Sequence, residues 1–295
     1  MPFYDFYCKV CHILNEDEFF KIADEILGYP ISELILDGPK DKLDLTENTQ
    51  PSIFLISFSI FSVIKKEHGI NLNNAKYFAG HSLGEYTALA ASGVLNFSET
   101  LKILKARGKA MQSAVPKGVG GMLAILGSDV ERVEEIIKNF DCEIANDNSN
   151  GQLVVSGKIN ELDNLIMELK KLNIKNIKLP VSAPFHCKLM KKATEVMNSE
   201  INKLQFNESQ NKLISNVTAK EISKPEEIKK LLVQQIESRV RWRESVNYMI
   251  NNGVNQFIEI GPGKVLSGLV KRIDKNVKIS AINKEEDISI TNIND

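Results

Sequence analysis

Apolar positions fall into short runs and helical stripes that alternate along most of the chain. Ile53-Phe54-Leu55-Ile56-Ser57-Phe58-Ser59-Ile60-Phe61 is apolar nearly all round, which predicts a buried helix with Pro51 at its first helical position. Tyr77, Phe78 and Ala79 read as the end of a buried strand, and Glu85-Tyr86-Thr87-Ala88-Leu89-Ala90-Ala91 reads as a helix. Another helix is predicted over 97–114. Between residues 118 and 184 the rhythm changes. It gives a strand at 122–126, a helix opened by a capping box at Ser128-Asp129-Val130-Glu131, strands at 142–145 and 153–156, a helix over 160–172 and a strand at 174–181. That βαββαβ order predicts a ferredoxin-like unit. Helices then follow at 189–204, 225–235, 242–251 and 264–272, with strands at 213–215, 254–260 and 280–282. Residues 285–295 are polar and predict a frayed end.

Alternating strands and helices predict an α/β fold with a parallel sheet covered on both faces. Residues 1–117 and 185–295 would form this large α/β-hydrolase-like domain. Residues 118–184 would form an inserted ferredoxin-like subdomain, with the active site in the cleft between the two.

Gly80-His81-Ser82-Leu83-Gly84 stands between the predicted strand and the helix after it. A serine between glycines at a strand-to-helix turn is a nucleophile elbow, with the serine at the positive end of the helix. Its base must come from four histidines: His12, His68, His81 and His186. His81 is too near in sequence to swing back, His68 follows Lys65-Lys66-Glu67 at a polar helix end, and His12 lies in an atypical opening segment. His186, in Ala183-Pro184-Phe185-His186-Cys187, is left.

With Ser82 and His186 in place, the chain resembles the malonyl-CoA:acyl-carrier-protein transacylases of type II fatty acid synthesis and the acyltransferase domains of polyketide synthases. The resemblance rests on Gly80-His81-Ser82-Leu83-Gly84-Glu85, Arg107-Gly108-Lys109-Ala110-Met111-Gln112 and Ala183-Pro184-Phe185-His186-Cys187. Thr46-Glu47-Asn48-Thr49-Gln50-Pro51, Ala145-Asn146-Asp147-Asn148-Ser149 and Ile260-Gly261-Pro262-Gly263-Lys264-Val265-Leu266 also match, in the family's order. It implies that Ser82 carries the acyl group and His186 is the base, its tautomer set by the backbone carbonyl of Arg241. It assigns Arg107 to the malonyl carboxylate, Gln50 to the site lining, the Leu83 amide to the oxyanion and Phe185 to exclusion of an α-methyl branch. It implies malonyl-CoA and acyl carrier protein as partners, no cofactor beyond the carrier's phosphopantetheine, and a monomer. The family opens with a strand and a Phe-Pro-Gly-Gln-Gly type loop whose glutamine amide completes the oxyanion hole. This chain has no such loop, and its first glutamine is Gln50. The opening strand and one oxyanion donor are therefore expected to be missing or replaced.

Composition narrows the alternatives. The chain has 295 residues, 43% of them hydrophobic, and a formal net charge of −1, which argues against a nucleic-acid binder. Cys8-Lys9-Val10-Cys11 is a single CxxC, and Cys142 and Cys187 do not form the second pair a zinc site needs. The stretch 53–64 is too short to span a bilayer, and the start has no signal-peptide pattern, so a cytoplasmic enzyme is expected. Lys188, Lys191 and Lys192 are either a solvated helix face or a docking patch for an acidic carrier. Gly261-Pro262-Gly263-Lys264 lacks the full phosphate-loop pattern and reads as a structural turn. Two other functional readings remain: a catalytically weak or truncated carrier-protein binder, and a serine α/β-hydrolase, which would want a carboxylate and a later histidine.

Overall fold

The computed structural model describes residues 18–66, 72–181, 183–209 and 211–290. Cys8, Cys11, His12 and His68 lie outside the described residues, as does nearly all of the opening segment expected to depart from the family.

The body is built on three helices, Thr46–Lys66, Leu83–Ala91 and Phe97–Ser113, that pack against one another. Phe54, Leu55, Ile64, Tyr86, Leu89, Leu101 and Leu104 are fully buried among them. The first of these helices begins at Thr46, so Pro51 lies inside it and not at its first position. The early start is held by side chains that bond back to the preceding turn. Asn48 Nδ2 donates to the Lys42 carbonyl at 2.9 Å and Thr49 Oγ1 to the Leu43 carbonyl at 2.6 Å.

Among the described residues there are nine strands in chain order: β1 (Tyr77–Phe78), β2 (Gly120–Leu126), β3 (Cys142–Ser149), β4 (Gln152–Lys158), β5 (Lys175–Lys178), β6 (Lys212–Ile214), β7 (Glu221–Ile222), β8 (Gln256–Ile260) and β9 (Lys278–Ile282). β1 pairs with β6 in parallel, and β8 pairs with β9 in parallel. β7 departs from the predicted parallel sheet. It lies antiparallel to β6 because the chain reverses in a short turn, where the Ser215 amide bonds the Lys220 carbonyl. A connection that short allows only the antiparallel pairing.

β2 to β5 form a four-stranded antiparallel sheet in the order β3-β4-β2-β5, the ferredoxin-like arrangement. Its helices, Val130–Ile137 and Ile159–Lys171, bury Val133, Ile137, Leu162, Leu165 and Leu169 against Leu123, Ile125, Leu153 and Val155 in a core of its own. The cap of the first helix is Asp129 rather than Ser128. Asp129 Oδ1 accepts the Arg132 amide at 2.8 Å, while the buried Ser128 hydroxyl has no partner among the described residues. Within the polar end predicted to fray, Glu285–Ile290 is helical and Ile288 is buried; residues 291–295 lie outside the described ones.

Two contacts place the insert on the body. Val240 bridges β3 in parallel, its amide on the Ala145 carbonyl at 2.8 Å and its carbonyl on the Asp147 amide at 2.9 Å. Arg243 then forks onto the buried Asp147 carboxylate, Nε to Oδ1 at 2.9 Å and Nη2 to Oδ2 at 2.8 Å. Within the body, Gly108 lets two helices touch. A Cβ there would stand 2.5 Å from the Thr46 carbonyl oxygen and 2.6 Å from Glu47 Cα. Gly108→Ala should therefore cost ~1–3 kcal/mol of stability through overpacking. Urea denaturation checks this, and an unchanged midpoint and slope would contradict the close approach.

Candidate active site

The elbow is locally strained and locally determined. A Cβ on Gly80 would lie 2.0 Å from the carbonyl carbon of Gly84, so only glycine fits there. Ser82 sits at φ 53°, ψ −109°, a left-handed conformation rare for a residue with a side chain. Asn216 holds it, accepting the Ser82 amide at Oδ1 (2.6 Å) and donating from Nδ2 to the Gly80 carbonyl (2.8 Å). The Ser82 amide is thus occupied. Leu83 opens the helix, so its amide is one of those a helix leaves without an intrahelical partner.

His186 lies 104 residues away in sequence, also at positive φ (59°), with Nε2 2.8 Å from Ser82 Oγ. Its Nδ1 is 2.8 Å from the main-chain oxygen of Gln235. This corrects the expectation for Arg241. The Arg241 carbonyl starts the helix Trp242–Asn251 and is taken by the Ser245 amide (2.9 Å) and hydroxyl (2.8 Å). The Gln235 carbonyl ends the helix Pro225–Gln235; it accepts the Ser238 amide at 3.3 Å and turns its other lone pair to the imidazole. A carbonyl oxygen can only accept, so the ring nitrogen facing it must carry a hydrogen. The proton therefore sits on Nδ1, and Nε2 faces the serine as an acceptor. Burial, and next the nearby Arg107 charge, hold His186 neutral down to about 3.

Arg107 is 1% exposed, and its guanidinium stands 5.5 Å over the Tyr86 ring. Nη1 donates to Gln50 Oε1 at 2.6 Å, and Nη2 donates to Gln235 Oε1 at 2.8 Å and to Ser82 Oγ at 3.0 Å. Ser82, His186, Arg107 and Gln50 therefore meet at one point. Phe185 is half-buried and packs on both the body core and the Met122–Ala145–Val154 cluster of the insert.

Sequence reasoning missed Gln235, Asn216, Asn148 and Glu85. Asn148, on β3, takes part in a 2.8 Å hydrogen bond with His81 Nε2, and it stood within a matched motif. Glu85 is 2% exposed, with Oε2 accepting from Gln235 Nε2 (2.7 Å) and the Asn216 amide (3.2 Å). Burial raises its carboxyl to about 7, against those two hydrogen bonds and the Arg107 charge, which lower it. The lysine patch divides: Lys188 pairs with Asp141 and, at 4.0 Å, with Glu143 of the insert, while Lys191 and Lys192 are exposed. Gly261 (φ 141°) comes against Ser57 Oγ, at 2.4 Å from where a Cβ would sit, so its motif makes a close-packed turn. Among the described residues, no His/Cys/Asp/Glu group could hold a metal, and no helix is long and apolar enough to cross a membrane.

Residues 13–287 match the family described as acyl transferase domain. A malonyl CoA-acyl carrier protein transacylase of Staphylococcus aureus is 40% identical over 290 residues, spanning 95% of this chain and 92% of that protein. The crystal structure of an acyl-carrier-protein-S-malonyltransferase from Bartonella henselae superposes with a TM-score of 0.90 at 40% identity, covering 92% of this chain and 88% of that one. A malonyl-transacylase solved in complex with a type II polyketide-synthase acyl-carrier protein gives 0.88 at 35% identity, covering 92% and 89%. The chain belongs to the acyl transferase family and, within it, to the malonyl CoA-acyl carrier protein transacylases.

His186 and Glu85 act on stability in opposite directions. An unfolded histidine takes up a proton near pH 6.5, so the His186 contribution is present above that pH and is lost as pH falls toward 3. Glu85 ionises near 4.5 when unfolded and about 7 when folded, so its contribution is full below pH 4.5 and is lost as pH rises through 7. Glu85→Gln should therefore gain stability relative to the unaltered chain between pH 5 and pH 7.5, by ~2 kcal/mol. Urea denaturation at the two pH values measures it, and a difference that does not change with pH contradicts the buried carboxyl.

Proposed function

We propose that the protein moves a malonyl group from malonyl-CoA to the phosphopantetheine thiol of an acyl carrier protein in fatty acid synthesis, through a malonyl ester on Ser82. The observation that carries this reading is a buried guanidinium, Arg107, within 3.0 Å of the hydroxyl that His186 can deprotonate. A hydrolase acting on neutral acyl groups has no use for a cation there.

In the first half, Ser82 Oγ attacks the thioester carbonyl while His186 Nε2 takes the hydroxyl proton. The Leu83 amide faces the oxyanion. The carbon–sulfur bond breaks, and coenzyme A leaves as a thiol with the proton returned from His186. In the second half the carrier thiol gives its proton to His186 and attacks the malonyl ester. The carbon–oxygen bond breaks and Ser82 regains its proton. A helix C-terminus supports the imidazolium through the Gln235 carbonyl where other triads use a carboxylate. A thioester is reactive enough for that weaker support.

Arg107 would turn its fork onto the malonyl carboxylate, the group that acetyl lacks. Gln50 aims the guanidinium, and the bulk of Phe185 disfavours an α-methyl branch. The carrier as partner is supported by the relatives' names and by the complexed neighbour. The scheme uses no cofactor beyond the carrier's own phosphopantetheine, and we place the protein in the cytoplasm as a monomer. The division at residues 118–184 would put the acyl group in the cleft beside Ser82.

Mixing with malonyl-CoA should add one malonyl mass to the protein, and Ser82→Ala should abolish it. Intact-mass analysis with peptide mapping reads this directly, and an adduct on another residue would sink the serine assignment. Arg107→Ala should slow malonyl loading by ~2–5 kcal/mol in barrier while largely sparing acetyl. Equal loss of both acyl groups would make Arg107 structural.

A further inference from the structure

We infer that Glu85 is a positioning residue for acyl-group selectivity, acting through the side-chain amide of Gln235 on Arg107. This rests on the reading that Arg107 receives the malonyl carboxylate.

The Gln235 amide lies between a cation and a carboxyl group. Its Oε1 accepts from Arg107 Nη2 at 2.8 Å, and its Nε2 donates to Glu85 Oε2 at 2.7 Å. A primary amide has one accepting end and one donating end. Turned by half a revolution, it would face its NH2 toward the guanidinium and its oxygen toward the carboxylate, and both contacts would repel. Arg107 and an ionised Glu85 therefore hold the same orientation from opposite ends. That orientation also lets Nε2 donate to the Ser82 carbonyl at 3.1 Å.

Gln235 is fully buried and Glu85 is 2% exposed, so bulk water does not replace a lost bond. Glu85 is carried by the same helix that begins after Ser82. Its Oε2 also accepts the Asn216 amide, and the Asn216 side chain spans the elbow from Gly80 to Ser82. The carboxyl is thus fixed to the nucleophile's own turn. Through one amide, it sets where the guanidinium stands relative to the serine. Acetyl does not use the guanidinium, so loosening this amide should fall mainly on malonyl.

The test compares malonyl-CoA and acetyl-CoA loading of Ser82 by intact mass at pH 8, where Glu85 is ionised. It uses the unaltered chain, Glu85→Gln, Gln235→Met and the double variant. Glu85→Gln keeps the size and an acceptor oxygen but removes the charge assistance. The malonyl-to-acetyl ratio should fall about tenfold. In the Gln235→Met background the amide is gone, so adding Glu85→Gln should change the ratio by less than about twofold. Thermal melting checks that each variant is folded. Gln235→Asn, which withdraws the amide by one methylene, replaces Gln235→Met if the latter does not fold. An unchanged ratio in Glu85→Gln, or equal loss of both acyl groups, overturns the inference. So does the same tenfold fall in the Gln235→Met background, which would make Glu85 act on Arg107 directly through space. An unaltered chain that takes no malonyl on Ser82 overturns the transfer reading, and this inference with it. One that takes malonyl but keeps its ratio on Glu85→Gln overturns only the inference.

Discussion

Gln235 ends the helix Pro225–Gln235 with its main-chain oxygen on His186 Nδ1 and its side-chain amide between Arg107 and Glu85. The base, the cation and the nucleophile's turn are therefore all fixed to one residue. Its position is set by packing: Ile228, Leu231, Leu232 and Ile236 are buried in the body core around it. A helix end suits the task because its last carbonyls have no donors within the helix and carry the negative end of the dipole. The same oxygen fixes the neutral tautomer and can favour the imidazolium once Ser82 gives up its proton.

The other constraint is steric. Ser82 and His186 both hold positive φ, and they come from segments on opposite sides of the insert. Gly80 lets the elbow close on Gly84, and Gly108 lets the helix carrying Arg107 touch the turn that leads to Gln50. Val240 and the Arg243–Asp147 fork bring β3 against the body, which sets Asn148 on His81. Each of these contacts costs local strain or desolvation, and each places a group within hydrogen-bond reach of Ser82 or its neighbours.

Much of this was legible in the chain because it has local signatures. The elbow glycines, the single usable histidine and the motif around Arg107 all named side chains that the fold does bring together. The helices Pro225–Gln235 and Trp242–Asn251 lie where the pattern predicted helices, at about 225–235 and 242–251. The carbonyl partner of His186 was not legible, since every residue has a carbonyl and only the tertiary path decides which one is free. Arg241 was displaced because its oxygen starts a helix. Glu85 looked like an ordinary acid in a helix's first turn, where the dipole favours it, and its burial depends on Gln235 and Asn216 far along the chain. Pro51 misled for a related reason: Asn48 and Thr49 bond back to earlier carbonyls and carry the helix start upstream of the proline.

The central claim is that a buried, neutral His186 carries its proton on Nδ1 and offers Nε2 to Ser82. Nitrogen NMR of the ring, with histidine labelled in the full-length protein, reports both nitrogens separately. The account predicts a protonated Nδ1 and a bare Nε2 that persist from pH 8 down to pH 5. A proton on Nε2, or a ring that becomes imidazolium near pH 6.5, would contradict it.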